Sequence, residues 1–294
     1  MDLTVHQLRC FLSVARELHF GRAAELLRLS PSALSEQITT LERRLSRTLF
    51  RRSSRTVELT DHAVELLPLA RRAVAAMDEV LEWGSGEAAE PCLRIGLMVS
   101  SPTFQTIMTT AGQRMPRVRL RIRQLGFLGC YEALADGDVD CAFVVEIGQT
   151  PSPEFDAVPL WDEGSVLVVS EQHRLAERDS VRLAELAGET FVSAEDEAVA
   201  ARWFSSVVGE NRDCRLRPVA RTFEEVLELC GARQGVNIAG VSAARTYPRP
   251  GVRFVPVVDA PPASTYLYLR RGHHPTALRQ FTQLAEEIAG SHPS

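Results

Sequence analysis

Apolar positions along the first sixty residues recur at helical spacing. Leu8, Phe11, Leu12, Ala15 and Leu18 fall on one stripe. Thr4 with Gln7 three residues later forms a capping-box pattern, and Leu3 and Leu8 are placed for a hydrophobic staple. A first helix is expected to end near residue 19. A second, residues 22–29, turns Ala23, Leu26 and Leu27 inward, its adjacent alanines letting another helix approach closely. The third is capped by Ser30, carries Pro31 at N1 where a missing N–H costs nothing, and buries Leu34, Ile38, Leu41 and Leu45. Ser32, Ser35, Glu36, Thr39 and Arg43 are left outside. Residues 49–60, LFRRSSRTVELT, alternate on both sides of an Arg- and Ser-rich turn and predict a small two-stranded wing.

Thr60 is again placed as an N-cap, and residues 61–84 read as one long helix. Leu67, Ala70, Val74, Met77 and Leu81 alternate in it at spacings of three and four, an a/d seam that predicts pairing with a second copy. The same stripe lying on the chain's own body is the alternative. Pro68 interrupts the helical ladder and is expected to bend it. Residues 85–91 change composition and read as a hinge. Beyond them a strand at 93–97, helix at 103–114, strand at 118–125, helix at 129–136 and buried strand at 141–145 follow in turn. A second such series runs between 165 and 258, with strands at 166–169, 216–220 and 236–239 and helices at 198–208 and 222–233. This alternation predicts an α/β fold with a parallel sheet and helices on both faces. Two subdomains joined by crossing strands would hold a cleft between them, subdomain I at about 92–161 with 265–294 and subdomain II at about 162–264.

A chain of 294 residues has room for two or three domains. No apolar run reaches the ~20 residues needed to span a bilayer. The opening MDLTVHQLRC has neither a basic start nor an apolar core, so no export signal and no membrane partner are expected and the cytoplasm is the expected location. Six scattered cysteines form no CxxC and no Cys/His cluster, so neither a metal nor a disulfide framework is expected. No cofactor motif is present. All 33 basic residues are arginine, which removes Schiff-base and lysine-phosphate chemistry. Residues 1–60 hold ten arginines against six acids, a balance of +4 that leaves −9 for the remainder of a chain of net charge −5. A basic head on an acidic body points to a polyanion for the first domain alone.

Two helices joined by a short turn, the second opening with small hydroxyl side chains, form a helix-turn-helix. Its N-terminal end suits a major groove, where hydroxyls bond bases or phosphates and free N–H groups face phosphate oxygens. Wing arginines would bond phosphates or reach a minor groove, making double-stranded DNA the expected polyanion. Residues 8–60 resemble the winged helix-turn-helix of the LysR-type transcriptional regulators, most plainly in HFGRAAELL, LSPSALSEQITTLERRL and LFRRSSRTVELT. The resemblance implies DNA contacts from Arg22, Pro31, Ser32, Ser35, Glu36, Gln37, Thr39, Arg43, Arg51, Arg52 and Arg55. The family usually has Gln at the place of Pro31 and often a basic residue at that of Glu36. It implies a homodimer or homotetramer on a pseudo-palindromic promoter site, contact with RNA polymerase, and control of a divergently transcribed neighbour. It further implies a small-molecule effector in a C-terminal domain resembling the periplasmic solute-binding fold.

The turn Ser100-Ser101-Pro102-Thr103 follows the first strand of that domain and opens a helix, where hydroxyls and N–H groups suit a carboxylate. Each residue taken singly is equally readable as a helix cap. By the family mapping Phe127, Leu128, Val145, Glu146, residues 191–194 including Ser193, Thr222 and Phe223 would also face the effector, a carboxylate or an aromatic compound. Glu146 and the run 195–197 complicate an anion, whereas Phe127, Phe191, Trp203 and Phe223 suit an aromatic body. Arg117, Arg119, Arg121 and Arg123 give one strand a basic face, read as a charged sheet edge or as a contact with acids of a partner subunit. Catalysis finds no support, since the histidines lack nucleophile or carboxylate partners at motif spacing and no GxSxG or phosphate loop occurs. An imported-solute carrier is opposed by the N-terminal helices. A thiol-based sensor of the same family remains the alternative, although the segment that carries the family's sensing pair, residues 191–206, has no cysteine.

Overall fold

The computed structural model of the protein describes residues 3–52, 56–84, 91–209, 214–272 and 274–291. The chain divides near residue 90 into two compact units. In the first, α1 (Val5–Glu17) opens with the expected capping box, the Gln7 N–H donating to Thr4 Oγ1 and the Thr4 N–H to Gln7 Oε1, each at 3.3 Å. Leu18 ends it in the left-handed conformation. The second helix, α2 (Phe20–Leu27), starts two residues earlier than the apolar pattern indicates because His19 caps it, its Nδ1 accepting the Arg22 N–H at 3.2 Å. Ser30 caps α3 (Pro31–Leu45), with Pro31 in its first turn. Leu34, Ile38 and Leu41 are fully buried with Phe11, Val14, Ala23 and Ala24.

Strands β1 (Phe50–Arg52) and β2 (Val57–Leu59) pair antiparallel, Phe50 opposite Leu59. Glu42 fixes the wing to α3, its Oε1 accepting the N–H groups of Leu49 at 2.7 Å and Phe50 at 3.2 Å. Thr60 caps α4 (Asp61–Gly84), which continues through Pro68. The hinge expected at 85–91 lies almost wholly outside the described residues. Ala63 and Ala70 of α4 belong to the core of this unit, and Leu67 and Val74 pack against it. Three of the five seam residues therefore face the chain's own body, while Met77 and Leu81 are exposed. A second apolar row, Leu69, Ala73, Ala76 and Val80, has the same four-three-four spacing and is exposed throughout, with Leu69 at 52% and Val80 at 58%.

The second unit begins with β3 (Cys92–Leu97), α5 (Pro102–Arg114), β4 (Arg119–Gln124), α6 (Gly126–Asp136) and β5 (Cys141–Ile147). After β6 (Asp156–Glu163) the chain crosses to β7 (Ser165–Ser170), then β8 (Thr190–Ala194), α7 (Glu197–Val208), β9 (Arg215–Ala220), α8 (Phe223–Gly231), β10 (Asn237–Gly240), α9 (Ala243–Thr246) and β11 (Val252–Val257). It returns through β12 (Ala263–Leu269) and ends in α10 (Thr276–Gly290). The main sheet runs β4-β3-β5-β12-β6 and the second β10-β7-β11, with β8 and β9 paired beside it. Parallel pairing holds for β3, β4 and β5 and for β8 with β9. The expectation of wholly parallel sheets fails at the crossing strands: β12 is antiparallel to both β5 and β6, and β7 is antiparallel to β10 and β11. A strand that returns to the sheet it left must run back along it. No helix of the described residues is long and apolar enough to cross a membrane.

The two halves of this unit meet closely at Gly126. Its φ is +68°, and a Cβ there would lie 2.3 Å from the Arg221 carbonyl oxygen. The neighbouring Phe127 N–H donates to that same oxygen at 3.1 Å. Gly126→Ala should therefore cost about 2–4 kcal/mol through left-handed strain and overpacking. In a thermal melt of the full chain the transition of this unit should fall by about 4–16 °C.

Candidate functional sites

In the first unit the opening turns of α3 present Pro31, Ser32, Glu36, Thr39 and Arg43 to solvent, with Ser35 and Gln37 partly covered. Ser30 Oγ and Ser32 Oγ lie 3.0 Å apart, and Thr39 Oγ1 donates to the Ser35 carbonyl at 2.8 Å. Arg52 of the wing reaches back over this face. Its Nη1 donates to Ser35 Oγ at 2.8 Å, its guanidinium lies 4.2 Å above the Phe20 ring, and its Nη2 stands 3.8 Å from Glu42 Oε2. Arg22 is turned toward the end of α1, donating to the Glu17 carbonyl at 2.6 Å. Arg51 is exposed on β1 opposite Glu58. Arg55 lies outside the described residues.

In the second unit a cleft of about 100 Å³ opens between the two sheets. Ser100, Ser101, Phe127, Val145, Glu146, Ser193 and Phe223 of the expected effector residues line it. Thr103, Leu128 and Thr222 do not: Thr103 lies half-buried in the first turn of α5, Leu128 within α6, and Thr222 is spent capping α8, accepting the Glu225 N–H at 3.3 Å. Ser101 is likewise a cap, accepting the Phe104 N–H at 3.1 Å, and the Ser100 N–H donates to the Tyr247 hydroxyl at 2.8 Å. Phe191 is buried in the core beneath, edge-on to Trp203, which does line the cleft.

Residues 5–64 match the family model for the bacterial regulatory helix-turn-helix protein of the lysR family, and residues 87–289 match the LysR substrate binding domain. The chain belongs to the LysR family of transcriptional regulators. It is 30% identical over 286 residues to the uncharacterized HTH-type transcriptional regulator YnfL of Escherichia coli K12, covering 93% of this chain and 94% of that protein. Identity to the DNA-binding transcriptional dual regulator OxyR of the same organism is 28% over 294 residues, covering 97% and 95%. Among solved structures CbnR, a LysR family transcriptional regulator, superposes with a TM-score of 0.70 at 19% identity, covering 98% of this chain and 99% of that one. A variant of full-length OxyR from Pseudomonas aeruginosa gives 0.64 at 20%, covering 98% and 95%. The structural likeness is one of fold. The protein is thus a LysR-type DNA-binding regulator.

Beside the expected Glu146, the LysR-type cleft of this chain holds residues that sequence reasoning missed, among them Tyr131, Glu163, Arg202, Ser242 and Thr265. Glu146, on β5 and only 6% exposed, accepts at Oε1 from the Tyr131 hydroxyl at 2.6 Å and the Tyr268 hydroxyl at 2.9 Å. The Ser152 N–H donates to the Tyr268 oxygen at 3.0 Å and so directs its proton to Glu146. Burial raises the Glu146 carboxyl above its ordinary value, opposed by the two tyrosines and by Arg202. Burial, with Glu146 beside them, also raises both tyrosines. Glu163 at the end of β6 is raised by burial as well, its oxygens accepting from the Ser242 N–H at 3.0 Å and the Ser242 hydroxyl at 2.8 Å. Gly240 lacks the Cβ that would displace that carboxylate. Neither the almost wholly buried β5 nor the irregularly exposed β6 marks its carboxylate by alternation, and Glu146 is reached only through the family mapping. Tyr131 lies 15 positions from Glu146, but Tyr268 is 122 positions from it and Ser242 is 79 from Glu163, too far to leave a local signal.

A raised folded carboxyl destabilises the fold above that raised value, and the cost disappears below the ordinary value of 4.5 where both states are protonated. Glu146→Gln keeps an acceptor for the tyrosines without the buried charge. Thermal melts of the full chain should show the variant more stable than wild type at pH 7.5, with the gain shrinking to nothing as pH falls through 4.5.

Proposed function

We propose that this regulator reads a pseudo-palindromic, two-part promoter site as a homodimer that assembles into a homotetramer. A small-molecule effector in the cleft of the second unit alters its contacts with DNA and RNA polymerase. In this reading residues 1–60 are the DNA-reading domain, 61–84 the pairing helix, 85–91 the hinge and 92–294 the regulatory domain, acting in the cytoplasm by binding rather than catalysis. Coupling requires only that the effector bind two arrangements of the oligomer unequally. The observation that carries the reading is the exposed start of α3, where small hydroxyls and the Pro31 ring stand on a buried core with Arg52 of the wing against Ser35. Pairing is supported by the exposed row Leu69, Ala73, Ala76 and Val80, continued by Met77 and Leu81, because two half-sites require two reading heads.

Thiol sensing has weaker support. Burial pushes the Cys130 and Cys230 thiols up to about 12 and raises Cys10 and Cys141, which keeps all four protonated and unreactive. Helix α7 contains no cysteine, and the half-buried Cys214 thiol donates to the Leu186 carbonyl at 3.2 Å.

Footprinting on the intergenic DNA beside the protein's own gene, with and without metabolites of the neighbouring operon, tests the proposal. A two-part protected site whose extent changes with one compound is the expected result, and no protection at any salt concentration refutes it. Arg51→Ala should weaken binding to all duplexes alike and reduce the slope of log K against log salt by about one. Arg52→Ala should do the same and also shift base preference, because Ser35 loses the group that holds its hydroxyl. An unaltered slope in both variants would place the wing away from phosphate. Sedimentation should show Leu69→Asp with Val80→Asp as a folded monomer at micromolar concentration. Ala70→Asp, burying an unpaired charge, should instead unfold the first unit.

A further inference from the structure

The charged lining of the cleft is predominantly acidic. Its charged residues are two carboxylates, Glu146 and Glu163, against the single, exposed Arg202. The turn that would suit a carboxylate is already committed within the protein, since the Ser100 N–H is taken by Tyr247 and the Ser101 hydroxyl caps α5. Glu163 is satisfied at both oxygens by Ser242. Glu146 differs. Both of its hydrogen bonds fall on Oε1, and among the described residues none donates to Oε2. A side chain 94% withdrawn from solvent thus holds out one unmatched carboxylate oxygen on the wall of a cavity that Phe104, Phe127, Trp161, Trp203 and Phe223 also line. Aromatic faces attract cations as well as apolar bodies.

We infer that the effector is a small organic cation, a protonated amine on an apolar or aromatic body, whose ammonium group donates to Glu146 Oε2. This rests on the cleft being the effector site, as proposed above. The reading replaces the carboxylate effector suggested by the serine turn, because that turn has no free N–H at Ser100 to offer and an anion would face two carboxylates. A zwitterion would gain from Arg202 only at the solvent-exposed side.

Calorimetry on the full-length chain with benzylamine, benzyl alcohol, benzoate and phenylglycine separates these chemistries on bodies of similar size. Benzylamine should bind at least about tenfold more tightly than the other three, and Glu146→Gln should weaken it about 10- to 100-fold, the worth of one charge-assisted hydrogen bond. The melting curve of the variant reports that it is folded. A preference for benzoate or phenylglycine would overturn the inference, as would benzylamine affinity unchanged in Glu146→Gln. Absence of benzylamine binding by a protein that still protects its operator would overturn it too, leaving the regulator reading intact. Failure to protect any operator would count against that other reading, and the calorimetry would stand on its own.

Discussion

The second unit depends on a strand that arrives late in the chain. β12 lies between β5 and β6, antiparallel to each, and supplies the hydrogen-bond partner that holds β6 in the main sheet. Because β6 leads directly into β7, the first strand of the second sheet, pairing with β12 also anchors one of the two crossings between the halves. The register sets Tyr268 opposite Ala142 and Thr265 opposite Val145, which brings one residue to Glu146 and another to the cleft wall. A site assembled across 122 positions of sequence is closed only after most of the chain is in place, at the entropic cost of long loops.

Glu146 and Glu163 show how neighbouring carboxylates acquire different work. Both are raised by burial. Glu163 is satisfied at both oxygens by one serine, and the missing side chain of Gly240 leaves room for it, so its role is to tie the end of β6 to the start of α9. Glu146 has two donors crowded on one oxygen, and its desolvation opposes the charge that the donors favour. A fold gains nothing in stability from that arrangement. Groups held in such conflict inside a cleft mark functional sites, with the rationale that an incoming ligand resolves the conflict.

Local signals carried much of the fold. The capping box at Thr4, the Ser30-Pro31 start of α3 and the first β-α-β series are legible because each depends on residues a few positions apart. His19 was missed as a cap because an imidazole nitrogen is not among the usual capping groups. The long helix shows a sharper limit. The row read from periodicity runs through Leu67, Ala70 and Val74, the unread row through Leu69, Ala73, Ala76 and Val80 has similar spacing, and nothing in spacing says which faces inward. The small Ala63 and Ala70 settle it by letting α4 approach the core closely. In the cleft, Ser100 and Ser101 were legible as a strand-to-helix turn, but Tyr247, which takes the Ser100 N–H, comes from 147 residues away.

The absence of lysine acquires a physical meaning at Arg52. That side chain stacks on Phe20, donates to Ser35 and stands beside Glu42, three contacts on three sides of one planar group. An ammonium ion, compact and strongly hydrated, would have to give up one of them, whereas a guanidinium presents its face and its edges at once. The contacts fix the start of α3 against the wing before DNA is present, because Glu42 also accepts the two N–H groups that open β1. In the proposed reading the ordering lost on binding is therefore small for these groups. Ser35 is the residue this arrangement positions most directly, so the hydroxyl at the helix opening is held in place by an arginine of the wing.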